Sequence, residues 1–180
     1  MACWVLMRLY VAVTDNDWFA LHASKTDVEE VNFWRPSPEA TFKALQSGEL
    51  LLFKLHAPDN FIAGGGFFTR FLQLPVNLVW DTFGEANGVR SLAAMRERIA
   101  HYRRSPTAAN ENPTIGCIML AEPFFWRRSD WIPSPSEFKL NTQVGEASIL
   151  RLVPARLFGM PCANGCSKAL RSDWNKEPLQ

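Results

Sequence analysis

Histidine is scarce in this sequence. Three of the 180 residues are histidines, and His22, His56 and His101 lie far apart along the chain. A nuclease of the His-Asn-His metal-finger class needs clustered histidines to hold a metal ion and activate water. We therefore expect neither that active site nor a metal site in this chain. Each histidine is interpreted as an ordinary surface or hydrogen-bonded side chain.

Other motifs that carry chemistry are also missing. The sequence has no Gly-x-Ser-x-Gly nucleophile elbow and no glycine pattern of the phosphate-loop or dinucleotide-binding kind. Asp15 and Asp17 alternate in a stretch that suits helix capping better than acid–base catalysis. We predict no catalytic residue and no cofactor. A hydrolase whose groups meet only in the folded chain stays open as an alternative.

Cysteine is equally sparse. The four cysteines are scattered, and Cys162 and Cys166 are the one close pair. A structural zinc site needs four ligands, so this pair is a weak zinc signal. We expect free thiols in a reducing compartment, with Cys117 inert in an apolar, strand-like run.

The N-terminal residues 1–13 are interrupted by Arg8 and lack a basic n-region. This composition favours neither a signal peptide nor a spanning helix, and it predicts a cytoplasmic protein.

The sequence also lacks an excess of charge of either sign. The formal net charge is +1, so any affinity for a polyanion must come from a local patch. Residues 90–104 provide one, with five arginines against the single acid Glu97. A solvated helix face and a phosphate contact are both compatible with this run. The arginines are Arg90, Arg96, Arg98, Arg103 and Arg104.

Aromatic residues are abundant by contrast, with 7 Trp and 13 Phe. Such side chains usually form core, but they are also the groups on which nucleic-acid bases stack. Trp34 stands out because it lies between Asn32 and Arg35-Pro36, in a segment that we interpret as too polar and Pro-bound for a strand interior. We therefore consider that Trp34 fits the wall of a partly exposed pocket nearly as well as it fits a core position.

The remaining pattern predicts one domain at residues 1–153 and a poorly packed tail at residues 154–180. Gly64-Gly65-Gly66 falls inside a predicted strand, where glycines mark a bulge, a barrel corner or a close approach to the backbone. Residues 75–87 are predicted to be irregular with one helical turn. Strands are predicted at residues 9–13, 50–55, 61–69 and 115–120 and within 144–153, and helices from Trp18 to His22, from the Ser37-Pro38 cap to Leu45, and from the Ser91 cap to Arg104.

This order of elements resembles the PUA-like superfamily, and in particular its EVE-type branch. The chain also resembles the N-terminal part of bacterial HNH restriction endonucleases over about residues 9–150. The motifs that carry the second resemblance are residues 13–19 (VTDNDWF), 31–34 (VNFW), 53–56 (FKLH), 64–68 (GGGFF) and 83–88 (FGEANG). The resemblance implies an α+β fold, a PUA-like (EVE/SRA-type) mixed β-barrel with peripheral helices, and a domain that recognises DNA.

The resemblance further implies that a base is flipped into an aromatic pocket, where Trp34 and Trp18 stack on it and Asn32 and Ser37 bond its edge. The partner would be DNA, with modified cytosine as the candidate base; an RNA-binding module and a nuclease with an unrecognised site are the alternatives. No HNH module follows residue 153, so cutting is expected from elsewhere, and a truncated or frame-altered product is one hypothesis. The expected pocket residues are Trp18, Asn32, Phe33, Trp34, Ser37, Gly65 and Phe67, and the expected phosphate-binding residues are Arg35, Lys54, Arg96, Arg103 and Arg104.

Overall fold

The structure is a computed structural model that describes residues 5–37, 41–103, 111–134 and 146–153, with backbone alone for residues 5–8 and 146–153. Three α-helices and seven strands are assigned in these ranges, together with short 3-10 helices at residues 84–87 and 128–130. The helices are α1 (Asn16–Ala23), α2 (Val76–Phe83) and α3 (Leu92–Arg103). The strands are β1 (Val5–Thr14), β2 (Glu30–Arg35), β3 (Leu50–Leu55), β4 (Phe61–Pro75), β5 (Thr114–Phe125), β6 (Ile132–Pro133) and β7 (Glu146–Val153).

The strands form one mixed sheet in the order β2-β5-β4-β3-β1-β7, and β6 pairs with β4 beside this path. β1 and β3 are parallel, with Leu9 opposite Leu50 and Thr14 opposite Leu55. The other pairs are antiparallel. The fold is therefore mixed α+β, and closure of this sheet into a barrel stays a prediction.

Side chains on the two faces of the sheet enter different apolar clusters, because successive residues of a strand point to opposite faces. In β1, Tyr10 and Ala12 join the largest cluster, which also contains Trp18 and Phe53. Leu9 joins a second cluster on the opposite face of β1 and β3. A third cluster lies between β5, α2 and α3 and includes Val76, Val79, Met95, Ile99 and Cys117.

Most of the predicted elements are present. The strands predicted in residues 9–13, 50–55, 61–69, 115–120 and 144–153 all occur, and several are longer than predicted. Two of the predicted caps are also confirmed: the Asp15 carboxylate accepts hydrogen bonds from the first-turn N–H groups of α1, and the Ser91 hydroxyl accepts one from the Ala94 N–H at 3.1 Å. The apolar patterns and the capping residues in the sequence were therefore sufficient to predict these strands and helices.

The segment around Trp34 was interpreted wrongly. Residues 30–35 form a complete strand, β2, that pairs antiparallel with β5, and Trp34 lies opposite Cys117. Its polar member Asn32 is fully buried, and the Asn32 amide donates a hydrogen bond to the Asn87 side chain at 2.8 Å. A buried partner from a distant segment thus makes a polar residue acceptable in a strand interior.

Two helix predictions also need correction. Residues 41–46 are not helical, and residues 38–40 lie outside the described ranges. Phe42 and Leu45 are both buried in the largest cluster, so their spacing reflects two core contacts and not a helical stripe. Conversely, residues 76–83 form the regular helix α2, in which Val76 and Val79 are fully buried.

The expected tail at residues 154–180 lies outside the described ranges. In the described part of the chain, no helix has the length and apolar character to cross a membrane.

Candidate functional site

A cleft of about 900 Å³ opens where β1, β2 and α3 meet. Its volume lies in the range typical of small-molecule sites. β1 contributes Tyr10 and Ala12, while β2 and the residues after it contribute a continuous stretch from Phe33 to Ser37. The remaining lining residues are Val13, Asp15, Trp18, His56, Arg98, His101, Tyr102 and Ile118.

Trp34 forms a half-buried aromatic wall of this cleft. Its indole N–H donates a hydrogen bond of 2.9 Å to the backbone carbonyl of Asn87, and its ring lies 6.3 Å from the Tyr102 ring in an edge-on arrangement. Asn87 is itself fixed, because its buried amide donates to the carbonyls of Gly84 and Val79. The indole is therefore held in place by one edge, as a preorganised stacking surface requires.

Trp18 lies deeper and behaves as a core residue that reaches the cleft. It is 4% exposed, and its indole N–H donates to the Asn32 carbonyl at 3.3 Å. Its ring contacts Phe33 and Phe53 edge-on. Gly88 packs against the indole so closely that a Cβ atom at this position would overlap it. Trp18 thus forms the base of the cleft and not a free stacking face.

Asp15 connects α1 to α3 at the edge of the cleft. Besides capping α1, its carboxylate accepts hydrogen bonds of 2.6 Å from the Arg98 guanidinium and from the Tyr102 hydroxyl. Burial alone would raise the pKa of the Asp15 carboxyl, but the bonds from Tyr102 and the backbone, with the Arg98 charge, hold that pKa below its ordinary value. The pKa of Tyr102 is raised by burial and by the same bond to Asp15. Both groups keep their ordinary ionisation states at neutral pH.

Arg35 differs from Arg98 in having its charge available. Arg98 is neutralised by Asp15 and Asp17, at 2.6 and 2.9 Å. Arg35 lies on the same face of β2 as Phe33, and no described residue forms an ion pair or a side-chain hydrogen bond with its guanidinium. His56 and His101 also line the cleft with imidazoles that hydrogen-bond to no described residue. The cleft therefore combines aromatic walls with uncommitted cationic and polar groups.

The structure brings part of the predicted base pocket together. Trp18, Phe33, Trp34 and Ser37 all line the cleft, as does the predicted phosphate ligand Arg35. Other predicted pocket residues lie elsewhere: Asn32 is buried behind the wall with its amide bonded to Asn87, Gly65 is buried between the backbone of Leu51 and the ring of Phe124, and Phe67 packs on the opposite face of the sheet.

Lys54, Arg96 and Arg103, three of the predicted phosphate ligands, do not line the cleft. Lys54 is 3% exposed, its ammonium lies 3.4 Å from the Asn60 side chain, and burial lowers its pKa. Arg96 donates to the Asn77 side chain at 2.8 Å. Arg103 donates to the backbone carbonyls of Pro36 and Thr114, which ties the end of β2 to the start of β5. Arg104 lies outside the described residues.

Several cleft residues were missed from the sequence. Asp15 was identified as a cap and Arg98 as part of a basic run, but neither signal shows that the two side chains meet across 83 residues. Tyr102 falls inside the predicted helix of residues 91–104 and was given no role, whereas it is 42% exposed and its hydroxyl donates a hydrogen bond to Asp15. The motif containing Asn87 and Gly88 was noted for its resemblance alone, although both residues support the cleft tryptophans.

Metal and thiol chemistry have no assembled site in the described part of the chain. No group of three or more His, Cys, Asp or Glu side chains comes together there as metal ligands would. Cys117 is a buried free cysteine, and burial raises the pKa of its thiol. Cys3, Cys162 and Cys166 lie outside the described residues. The described cleft is suited to binding through stacking, hydrogen bonds and charge.

Comparison with known proteins gives evidence on the fold. No protein-family model matches the sequence, and no curated protein does. A crystal structure of a point mutant of ZmASCH from Zymomonas mobilis is similar, with 14% identity, a TM-score of 0.51, and coverage of 79% of this chain and 90% of that one. The ASCH protein itself from the same organism matches with 14% identity over 79% of this chain and 87% of that one, at a TM-score of 0.48. A likeness at 14% identity concerns the fold alone, and this chain shares the fold of the first of these ASCH structures.

Proposed function

We propose that this chain is a nucleic-acid-binding PUA-like module that takes a single base into the cleft between β1, β2 and α3. The observation that carries the proposal is the half-buried indole of Trp34, held by Asn87, in the same cleft as Arg35, whose guanidinium pairs with no described residue. Single-stranded and flipped bases are bound elsewhere by this combination of an aromatic face and a cation.

Extraction of a base from a duplex costs a few kcal/mol, which the cleft must offset. Stacking against an aromatic side chain contributes about 1–3 kcal/mol per base. Trp34 and Phe33 provide aromatic surface, and Arg35 with His101 provides donors for phosphate or base oxygens. Because Arg98 is already paired with two carboxylates, it serves the cleft by holding α3 against α1.

The partner we propose is DNA that carries a modified base, with modified cytosine as the first candidate. The motifs shared with the N-terminal part of HNH restriction endonucleases support this, since that region is thought to recognise modified DNA before a separate module cuts it. The exposed edge of Trp34 gives such a base a surface on which an added methyl or hydroxymethyl group could pack. An RNA-binding module is the alternative, and it becomes one arm of the test.

The proposal is tested by titrating the purified chain with fluorescent oligonucleotides of one sequence. The series comprises duplexes with cytosine, 5-methylcytosine or 5-hydroxymethylcytosine at one position, and the matching single-stranded RNA. We expect a modified duplex to bind at least several-fold more tightly than the unmodified one, with an affinity that falls as salt rises. Equal and weak binding to every duplex would remove modified-base recognition, and preference for the RNA would transfer the function to RNA.

A further inference from the structure

The hydrogen-bonding groups that remain open in the cleft narrow the kind of base it accepts, if the proposed nucleic-acid function is correct. The carboxylate of Asp15, an acceptor at the edge of the cleft, already receives several internal donors. The Asp15 carboxylate receives the N–H groups of Asp17 and Trp18, the Arg98 guanidinium and the Tyr102 hydroxyl. A ligand amino group that approaches this carboxylate therefore competes with these internal donors.

The backbone acceptors at the cleft wall are occupied in the same way. The Pro36 carbonyl accepts from Arg103. The Asn87 carbonyl accepts from the Trp34 indole, and the Asn32 carbonyl from the Trp18 indole. Each bond satisfies a donor that would otherwise be left unpaired in a buried or half-buried position, so breaking one has an energetic cost.

The open groups are donors or can act as donors. The Arg35 guanidinium has five N–H groups and no acceptor, and no described residue binds it through its side chain. Ser37, His56 and His101 can each donate or accept. The formal charges of the lining residues Arg35, Arg98 and Asp15 leave one positive charge with the histidines neutral. These groups can donate hydrogen bonds to a ligand edge that carries oxygen and nitrogen acceptors.

We infer that the cleft selects keto bases over amino bases, with Arg35 as the specificity-determining residue. Guanine presents O6 and N7 as adjacent acceptors, and thymine and uracil present O4, whereas adenine and cytosine present an amino group at the equivalent position. A guanidinium can donate to the carbonyl oxygen of the first group of bases, but it cannot donate to the amino group that takes its place in adenine and cytosine. Modified cytosine carries an amino group at C4, so this inference and the first candidate above exclude each other: a keto preference replaces modified cytosine with a base that has a carbonyl at C4, such as 5-hydroxymethyluracil.

Two matched pairs of probes test this inference without the cost of opening a duplex. Single-stranded seven-nucleotide probes carry, at the centre, inosine or adenine in one pair, and 5-hydroxymethyluracil or 5-hydroxymethylcytosine in the other. Within each pair, a carbonyl replaces an amino group. By fluorescence anisotropy we expect the keto member to bind about 10- to 100-fold more tightly, the range for one hydrogen bond from a charged donor.

Variants at Arg35 assign the preference to this residue. Arg35→Gln should reduce the preference to about 2-fold or less, because its amide can both donate and accept. Arg35→Lys should keep most of the overall affinity through its charge but lose most of the preference, since it lacks the planar fork. Arg70→Gln is the matched control, because Arg70 is exposed on β4 and does not line the cleft; it should bind as the unchanged chain does.

The outcomes separate this inference from the function on which it rests. Loss of a keto preference in Arg35→Gln, with the thermal transition unchanged, supports the inference. Equal binding within both pairs, a preference for the amino members, or a keto preference that survives both Arg35 variants overturns it and leaves the nucleic-acid function in place. Absence of binding to every single-stranded probe, and also to the duplexes and the RNA of the preceding test, overturns both the keto preference and the proposed nucleic-acid function.

Discussion

Two tryptophans of the cleft show how one residue type takes two roles at the level of single side chains. Trp18 is 4% exposed and has edge-on contacts with His22 and two phenylalanines, so it contributes mainly to the core. Trp34 is half-buried, packs against the α2 and α3 side of the sheet, and presents part of its ring to the cleft. The sequence around each is similarly aromatic, and burial by distant segments decides which one is available to a ligand.

Gly88 provides a direct test of how tightly the base of the cleft is packed. Gly88→Ala should lower the free energy of unfolding by about 2–4 kcal/mol, because its φ of 72° disfavours a side chain and a Cβ atom would overlap the Trp18 indole. Gly48→Ala is the control, since Gly48 also has a positive φ, 87°, but has open space around it. Urea unfolding should show the smaller loss, about 1 kcal/mol, for the control. Equal losses would mean that the Trp18 contact is not tight.

His22 predicts a pH dependence of stability. It is 1% exposed, and neither ring nitrogen has a hydrogen-bond partner of normal geometry among the described residues. Burial, with the nearby Lys25 charge, lowers the pKa of His22 to about 4. Because this pKa lies below the unfolded value of about 6.5, the unfolded chain binds the proton first as pH falls. Stability from neutral His22 is complete above about pH 6.5 and is lost by about pH 4.

The measurement is the free energy of unfolding by urea between pH 7 and pH 4. The chain should lose on the order of 2–3 kcal/mol more across this interval than His22→Phe, which keeps an aromatic ring but cannot titrate. His101→Gln should retain the dependence, because His101 is exposed. Parallel curves for the unchanged chain and His22→Phe would show that His22 is not buried in its neutral form.

At the level of elements, the contact between α1 and α3 sets one side of the cleft. The Asp15 carboxylate at the start of α1 accepts from Tyr102 and Arg98 of α3, while Arg103 of the same helix holds the end of β2. α3 therefore joins both edges of the cleft through polar contacts. Two arginines of the basic run, Arg98 and Arg103, thus make internal contacts at the edges of the cleft.

A double-mutant cycle tests this attachment. Tyr102→Phe and Asp15→Asn should each destabilise the chain, and the pair should show a coupling energy of about 1 kcal/mol because they share one hydrogen bond. The cycle formed by Lys25→Met and Glu85→Gln is the comparison, since that 2.6 Å ion pair lies at an exposed surface and should show little coupling. Additive effects of the Tyr102 and Asp15 changes in urea unfolding would contradict the proposed link.

The elements also show which parts of the structure can be read from the sequence. The buried strands β3 and β5 and the capped helices α1 and α3 are predictable because their apolar patterns and caps are local. β2 is not, because the burial of Asn32 depends on the Asn87 amide 55 positions away. The same holds for the cleft: the aromatic and Arg35 wall lies within one short segment, whereas the Asp15 and Tyr102 pair forms only when α1 and α3 pack together.

At the level of the whole molecule, the mixed sheet separates binding from structural support. The cleft is lined by β1, α3, the start of α1 and the stretch from Phe33 to Ser37, while the described clusters behind β5 and beneath β3 contain no residue that lines it except Trp34. A substitution in the cleft can therefore be compared with a substitution of a similarly buried residue away from the cleft. Trp34 and Trp126 form such a pair, since both are half-buried tryptophans and Trp126 packs against Phe124 away from the cleft.

The most direct test of the central claim is the affinity of four chains for the one oligonucleotide that the unchanged chain binds most tightly. These are the unchanged chain, Trp34→Ala, Trp34→Phe and Trp126→Ala, measured by anisotropy at a temperature at which circular dichroism shows each of them folded. We predict that Trp34→Ala weakens binding by about 5- to 100-fold, the range expected for loss of one stacked base, that Trp34→Phe retains most of the affinity, and that Trp126→Ala binds as the unchanged chain does. Unaltered binding by Trp34→Ala, or an equal loss in Trp126→Ala, would contradict the claim that this cleft holds the base.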